Sequence, residues 1–319
     1  MEDLRIGPLL ACAIGDAYAS GFEFADKQFV NKNNNLGYVQ NPKHRTLRPG
    51  HYTDDTQMAL GVVEHLLDRT IFTPMSLATR WVTGFHRDPR KGYAAGFYDF
   101  LLKTKTGEEF LANIHPHSTK NGGAMRAFPC GFLRDVNQVR DFAMMQASLT
   151  HATYPGMLAA AAAALAFHYT YHRKGSKLDL PIWLSDKVGY DFTSMWAAPV
   201  GTQAMACVHA AIEAYMQGDS LMDVLHKCVA WTGDVDTVAA IAMPIAAVCP
   251  ETKLNINPAL VDGLEDETYG RTYLEELDAR LRREFPPLKW QRRRGAVTPT
   301  KATTPVDDNP LAFLFDDDI

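Results

Sequence analysis

Apolar residues recur along most of this chain at the three- and four-residue spacing of amphipathic helices. Alternating apolar and polar runs bounded by hairpin turns, which would indicate strands, are hard to find. The pattern therefore predicts an all-α fold built from about ten or more helices. The periodic segments are residues 7–24, 56–69, 74–87, 96–105, 139–151, 155–173, 204–217, 221–231, 236–248 and 268–284.

Two stretches depart from this pattern. Residues 31–50, "NKNNNLGYVQNPKHRTLRPG", are rich in asparagine and predict a long ordered loop. After Trp290 the chain reads "QRRRGAVTPTKATTPVDDNPLAFLFDDDI", which offers little to bury and predicts a flexible tail. The sequence therefore predicts one domain over residues 1–290 and a tail over residues 291–319.

The composition narrows the class of protein. Of 319 residues, 46% are hydrophobic and 22% charged, as is usual for globular proteins. A net charge of -5 and the lack of a long basic stretch do not favour nucleic-acid binding. No signal peptide is apparent, and the longest apolar runs are too short to span a bilayer. The five scattered cysteines form no CxxC pair, which indicates free thiols in a reducing, cytoplasmic compartment.

Oxygen-bearing side chains are concentrated at two predicted helix starts that are far apart in the sequence. The first is "TDDT" at residues 53–56, and the second is "GDVDT" at residues 233–237. Threonine and aspartate are common N-caps, so two independent caps are one explanation. A single cap needs only one such residue, however, whereas a hard divalent cation would use all of these oxygens. The two clusters therefore predict a two-cation site.

Five segments, in this order along the chain, resemble the ADP-ribosylglycohydrolase family. They are "GPLLACAIGDAYASGFEF", "TDDTQMAL", "NGGAMRAFP", "LTHATYPGMLAAAAAALA" and "GDVDTVAAIA", which together span residues 7 to about 248. The resemblance implies a compact, orthogonal multi-helix bundle around two Mg²⁺ or Mn²⁺ ions. It also implies hydrolysis of the bond between the anomeric carbon of ADP-ribose and an acceptor.

Carried over residue by residue, the resemblance implies roles for individual side chains. Glu23 would be a general base and a candidate metal ligand, with Asp55 and Asp236 as catalytic groups beside the cations. The implied metal ligands are Thr53, Asp54, Asp55, Asp234, Asp236 and Thr237. The implied substrate-binding residues are Asn121, Gly122, Gly123, Ala124, Met125, His151 and Tyr93.

Several of these residues also have a purely structural explanation. Gly122 and Gly123 let backbone amides approach a diphosphate, or they simply form a turn. Arg126 either meets phosphate or braces a helix through a buried carboxylate. His151 either contacts the ribose or acceptor or is structural. Asp16 is either a group behind the metal ligands or a buried helix cap.

One departure from the family pattern concerns the acceptor. Arginine-directed members carry Asp-x-Gly-Asn after the third helix, where this chain has Arg90 and Tyr93. Unless Asp88 substitutes, no carboxylate is left there for a guanidinium, so the acceptor stays open among protein side chains, nucleic acid and small molecules. A non-catalytic member of the family, with a binding, immunity or structural role, is the alternative; the complete set of implied ligands favours the enzyme.

Overall fold

The computed structural model describes residues 6–197 and 199–288. This part of the chain contains fourteen α-helices, three short 3-10 helices and no strand, which confirms the all-α prediction. The predicted tail, residues 291–319, lies outside the described residues, and the domain boundary stays a prediction. The α-helices are α1 (Pro8–Ala19), α2 (Lys27–Asn33), α3 (Asp54–Leu67), α4 (Pro74–Arg87), α5 (Ala95–Lys103), α6 (Gly107–Asn113), α7 (Val136–His151), α8 (Tyr154–Tyr171), α9 (Leu180–Val188), α10 (Ala204–Gln217), α11 (Leu221–Ala230), α12 (Val235–Val248), α13 (Pro258–Asp262) and α14 (Arg271–Glu284).

Two long helices with small side chains form the centre of the fold. Every residue of α1 is buried, and α12 is buried from Val235 to Ala247. The two helices lie against each other, and a Cβ added at Gly15 would come within 3.0 Å of the Ala239 carbonyl oxygen. Helix α8 packs on α12 through its buried alanines. Small residues therefore allow the close backbone approach that keeps the starts of α3 and α12 near α1.

Helix α14 closes the fold by capping α1. The amides of Leu9 and Leu10 donate to the two carboxylate oxygens of Asp278, at 3.0 and 2.9 Å. Only glycine fits at position 7, because an added Cβ would lie 2.1 Å from the Asp278 Cγ. Burial raises the pKa of Asp278 to about 7. This carboxylate therefore satisfies the first turn of a helix to which it does not belong.

The cysteines and the apolar runs agree with their predicted character. All five cysteines are buried free thiols. Among the residues that the structure describes, no helix is both long and apolar enough to cross a membrane. Buried cysteine here acts as a small hydrophobic side chain.

Candidate metal centre and substrate cavity

A cavity of about 520 Å³ lies where the N-termini of α3 and α12 meet. Its wall includes Asp54 and Asp55 from the start of α3, and Asp234 and Asp236 from the start of α12. Glu23, from the segment that follows α1, lines the same cavity. The structure therefore brings together the two oxygen clusters that the sequence separates.

The start of α3 is capped by a carboxylate from α1. Asp16 accepts from the backbone amides of Thr53 and Thr56, at 2.9 and 3.1 Å, and from both threonine hydroxyls, at 2.8 and 2.6 Å. The Thr53 side chain itself makes no capping hydrogen bond. Asp16 is thus the buried cap, and capping leaves the carboxylates of Asp54 and Asp55 free to line the cavity.

A tight turn presents the acids of α12. Gly233 has a φ of 96°, and a Cβ there would lie 1.9 Å from the Val200 carbonyl oxygen, so glycine is required. The amide of Asp234 donates to that same oxygen at 2.9 Å. The Asp234 side chain caps no amide of its helix but accepts from the Asn121 side-chain amide at 3.0 Å. The turn therefore directs Asp234 away from its own helix and toward the cavity.

Glu23 is fixed beside these acids by its neighbours. Phe24 has a φ of 49°, unusual for a residue with a side chain, and its amide donates to the Gly233 carbonyl at 2.8 Å. The Asn41 side chain donates to the Glu23 carbonyl at 3.0 Å. Carboxylate oxygens of Glu23, Asp234 and Asp236 all lie within 4.8 Å of one another. The three acids are thus close enough to share one ligand.

Crowding and burial make these acids reluctant to ionise. Burial, with the nearby Asp234 and Asp16 charges adding to it, raises the pKa of Glu23 to about 8. Burial followed by repulsion from other acids raises the pKa values of Asp54, Asp55 and Asp236 well above their usual range. Such a cluster is costly unless positive charge compensates it.

The residues present fit hard divalent cations. The Oδ1 atom of Asp55 is buried and has no hydrogen-bond partner. Within the described part of the chain, the cavity wall carries five carboxylates but only two full cations, Lys120 and Arg126, and no cysteine. Carboxylate and hydroxyl oxygens without sulfur suit Mg²⁺ or Mn²⁺ better than zinc. The acidic cluster could therefore hold metal.

The two threonines implied as ligands are placed differently. Thr237 lines the cavity, whereas Thr53 does not border it. The Thr53 hydroxyl donates to Asp16, so its oxygen keeps lone pairs available to a cation beside Asp54 and Asp55. The role of both as ligands stays a prediction.

The "NGGAMR" segment forms a short 3-10 turn whose residues divide between cavity and core. Asn121, Gly122 and Met125 line the cavity, whereas Gly123 and Ala124 are buried behind it. A Cβ at Gly122 would come within 3.0 Å of the His151 ring. Glycine at this position therefore makes room for that ring at the cavity wall.

Arg126 braces α7, but through neutral groups rather than a carboxylate. Its guanidinium donates to the Gln146 side-chain oxygen at 2.8 Å and to the Thr150 hydroxyl at 2.7 Å. It also lies 4.1 Å above the Trp81 ring, and burial lowers its pKa to about 9. Because the side chain also lines the cavity, the structure gives it both a structural contact and access to substrate.

His151 lies at the end of α7 and lines the cavity. Its Nδ1 atom lies 2.7 Å from the Thr150 hydroxyl. Burial, with the Arg126 charge adding to it, lowers the pKa of His151 to about 3. The imidazole is therefore neutral near pH 7 and can hydrogen-bond a sugar hydroxyl without adding charge.

The loop before α5 places Tyr93 outside the cavity. The Tyr93 side chain is buried and its hydroxyl donates to the Gln57 side-chain oxygen at 2.8 Å. Arg90 is buried between Glu265 and Asp88, which it contacts at 2.7 Å. Tyr93, Arg90 and Asp88 do not border the cavity. The possibility that Asp88 supplies the missing carboxylate therefore finds no support, because Arg90 already pairs with it.

Sequence reasoning missed one whole side of the cavity. This side is formed by residues of the α5 and α6 region, and the rings of Phe97 and Phe100 are its largest members. Their spacing in "GFYDFLL" matches an ordinary core-facing helix, so the sequence carried no signal that they border a cavity. Other lining residues not predicted are Gly92, Ala94, Gly96, Asn113, Ile114, His115, Ser118, Lys120, Thr150 and Thr202.

The all-helical fold and the acid-lined cavity agree with the family that comparison with known proteins identifies. The family model for ADP-ribosylglycohydrolase matches residues 2–289. The chain belongs to the ADP-ribosylglycohydrolase family.

Two curated relatives match about half of this chain. ADP-ribosylhydrolase ARH3 of Homo sapiens is 32% identical over 185 residues, which cover 53% of this chain and 50% of the human protein. ARH3 of Mus musculus is 30% identical, over 51% of this chain and 47% of the mouse protein. The chain thus matches about half the length of these curated relatives. A solved structure described as an ADP-ribosylglycohydrolase-related protein complex has a TM-score of 0.69 at 24% identity, covering 88% of this chain and 96% of that one, which shows the shared fold.

Proposed function

We propose that this protein is a metal-dependent hydrolase that cleaves the glycosidic bond between ADP-ribose and an acceptor, thereby reversing ADP-ribosylation. The observation that carries the proposal is the convergence of five carboxylates, from three separate segments, on one cavity. The unpartnered Oδ1 atom of Asp55 supports it, because a buried carboxylate oxygen without a donor is costly unless a cation contacts it.

The proposed cofactor is a pair of Mg²⁺ or Mn²⁺ ions. The residues that would hold them are Thr53, Asp54, Asp55, Asp234, Asp236 and Thr237, with Glu23 as a further candidate. When bound, the ions would supply positive charge that orients the ribose hydroxyls and makes bound water more acidic. Asn121 would orient Asp234 through its 3.0 Å hydrogen bond.

Glu23 is the proposed general base. Burial raises the pKa of Glu23 to about 8, and the positive charge of bound cations would lower it again, so that the carboxylate can accept a proton near pH 7. Water would attack the anomeric carbon and lose its proton to Glu23. The electron pair of the broken bond would leave with the acceptor atom, which takes up a proton from solvent.

The remaining lining residues would position the substrate. Gly122 and Lys120 line the cavity, where a backbone amide and an ammonium group would suit a diphosphate. Neutral His151 and Met125 would contact the ribose. Gly123, Ala124 and Tyr93 lie behind the wall, and they would act on substrate only through neighbours. We also propose a reducing, cytoplasmic compartment, in keeping with five free thiols.

The test is release of ADP-ribose from Arg-, Ser-, nucleoside- and acetyl-linked substrates, measured with Mg²⁺, with Mn²⁺ and with chelator. We expect release from at least one substrate, only in the presence of a divalent ion. The same ions should stabilise the folded protein and so raise the midpoint of thermal unfolding. At a concentration 100 times the Kd, the free energy of unfolding should increase by about 2.7 kcal/mol. Chelator-resistant release would contradict the metal-dependent mechanism, and no release from any substrate would overturn the proposal.

A further inference from the structure

The linker that leads from Val200 into α10 contacts two segments of the cavity wall. The Val200 amide donates to the Thr232 carbonyl at 2.9 Å, which pairs the linker with the turn before α12. The Ala204 amide donates to the Thr119 carbonyl at 3.3 Å, which pairs the end of the linker with the stretch before "NGGAMR". The linker therefore holds the acidic turn of α12 beside the segment that carries Asn121.

Cys207 lies at the end of the first turn of α10 and joins this linker to Asn121. Its thiol donates to the Gly201 carbonyl at 3.1 Å, and its Sγ atom accepts from the Asn121 side-chain amide at 3.0 Å. Cys207 is fully buried and does not line the cavity. Because the thiol proton is directed at Gly201, the sulfur meets Asn121 as an acceptor, and only the NH2 end of the amide can donate to it.

The Asn121 amide is held in one orientation by two acceptors. Its nitrogen donates to the Asp234 Oδ2 atom, also at 3.0 Å, so that each of its two protons has a partner. Within the described part of the chain, the Oδ1 atom of Asn121 accepts no hydrogen bond, although the residue lines the cavity. An amide turned the other way would set its oxygen against the Asp234 carboxylate. The Asn121 oxygen is therefore the atom that stays available to a ligand.

The contacts of Cys207 differ from those of a cysteine that only fills space. Cys228 on α11 is equally buried, yet among the described residues its thiol makes no hydrogen bond to another residue. The Cys207 thiol, by contrast, both donates and accepts. Buried hydrogen bonds of this kind fix the orientation of the groups that they join. Loss of this thiol should therefore affect the geometry of Asn121 and of the carboxylate that Asn121 holds.

We propose that Cys207 is a positioning residue that acts through Asn121. It would hold the Asp234 carboxylate in the orientation that binds a cation, and it would keep the Asn121 Oδ1 atom available to the substrate. This inference rests on the proposed function. Because Oδ1 is an acceptor, its partner must be a donor, which a ribose hydroxyl is and an ionised diphosphate is not. Asn121 would thus bind the ribose and not the phosphates.

The first test measures the Kd for Mn²⁺ alone, by calorimetry, in variants of Cys207. Cys207→Ala and Cys207→Val both lack the acceptor, and each should raise the Kd roughly fivefold, the equivalent of one neutral hydrogen bond. Cys207→Ser keeps an acceptor and a donor and should stay within about twofold of the parent protein. Cys228→Ala is the matched control, because it removes an equally buried thiol and should leave the Kd unchanged. Unfolding curves would confirm that each variant folds.

A double-mutant cycle tests whether Cys207 acts through Asn121. Asn121→Ala should raise the Mn²⁺ Kd roughly tenfold or more, because it removes the group that orients Asp234. In that background Cys207→Ala should have no further effect, whereas a cysteine that only supports packing would add its full cost.

The side-chain amide of Asn121 gives a readout that needs neither metal nor substrate. In metal-free, ¹⁵N-labelled protein, its two proton resonances are identified by their absence in Asn121→Ala. They should shift and exchange faster with solvent in Cys207→Ala, and they should change little in Cys207→Ser or Cys228→Ala, because only the first of these variants removes the acceptor.

The outcomes separate this inference from the proposed function. An unchanged Mn²⁺ Kd in Cys207→Ala and Cys207→Val, or additive effects of Cys207→Ala and Asn121→Ala, would overturn the positioning role while leaving the hydrolase intact. A Cys207→Ser variant as weak as Cys207→Ala would also contradict it, since the hydroxyl should replace the thiol. If the parent protein neither binds Mn²⁺ nor releases ADP-ribose, the proposed function fails, and the positioning role fails with it.

Discussion

Two kinds of buried carboxylate lie close together around α1 and α3, and they differ in their partners. Asp16 accepts four hydrogen bonds from Thr53 and Thr56. Asp55, which directly precedes Thr56 in the first turn of α3, has a buried oxygen that contacts no donor. Burial raises the pKa values of both, so neither burial nor pKa separates them. The number of hydrogen-bond donors separates the two aspartates. It distinguishes an acid that stabilises the fold from an acid that is available to a ligand.

The same distinction holds at the other end of α1. Asp278 accepts from two backbone amides and caps its helix, as Asp16 does for α3. Glu23 and Asp236, by contrast, border the cavity, and Asp236 accepts from the Thr237 amide of its own helix. Structural acids should therefore matter for stability, and cavity acids for activity.

The largest expected effect is the loss of activity in Asp55→Ala and Asp236→Ala. Removing either carboxylate should lower kcat/KM by at least roughly 10²–10³-fold, because each is a proposed ligand at the reacting centre. Without metal, these variants should be as stable as the parent protein or more so, since mutual repulsion among the acids falls. Release of ADP-ribose and urea unfolding in chelator measure the two effects.

The control for those variants is Asp141→Ala, which removes a side chain that is 63% exposed. It should change neither activity nor stability measurably. A fall in metal-free stability of several kcal/mol in Asp55→Ala would contradict the distinction, because it would make Asp55 a structural acid like Asp16.

The next effect is on stability, in Asp16→Ala. Four donors at the start of α3 would lose their acceptor, which should lower the free energy of unfolding by about 3 kcal/mol. Asp16→Asn keeps one acceptor oxygen and should cost less. Urea unfolding in the presence of chelator measures this loss without any contribution from metal binding. Equal stability of Asp16→Ala and the parent protein would show that the cap is dispensable.

Asp278 should make stability depend on pH. Its pKa is about 7 in the folded protein, against a usual value of 3.8, so the folded state holds its proton longer than the unfolded state. This contribution is complete below about pH 4 and is lost as the pH rises through 7. Asp278→Asn lacks the titration, and its stability relative to the parent protein should rise by on the order of 4 kcal/mol between pH 4 and 8. Parallel stability profiles would contradict the shift.

The sequence predicts the long helices well and the short ones poorly. All ten periodic segments overlap helices, because burial of one helix face imposes the three- and four-residue spacing of apolar positions. The segments at α2, α6, α9 and α13 have five to nine residues each, too few turns for a period to stand out.

The candidate site divides along a similar line. The four cavity aspartates were predictable because more oxygen ligands stand at two helix starts than capping requires, whereas Glu23 was identified only through the family resemblance. The side of the cavity formed by Phe97 and Phe100 and the placement of Tyr93 were not predictable, because both depend on how the loop after α4 packs on the rest of the fold. Asp16 had two explanations, and only the distance to Thr53 and Thr56 decides between them.

The smallest expected effect concerns Tyr93, which the family resemblance implies as a substrate-binding residue. Its hydroxyl donates to Gln57 behind the cavity wall, so Tyr93→Phe should cost about 1 kcal/mol of stability and leave kcat/KM within twofold of the parent value. A double-mutant cycle with Gln57→Leu should recover most of that cost as coupling between the two residues. A tenfold fall in kcat/KM at unchanged stability would instead place Tyr93 with Asp55, among the residues that act on the substrate.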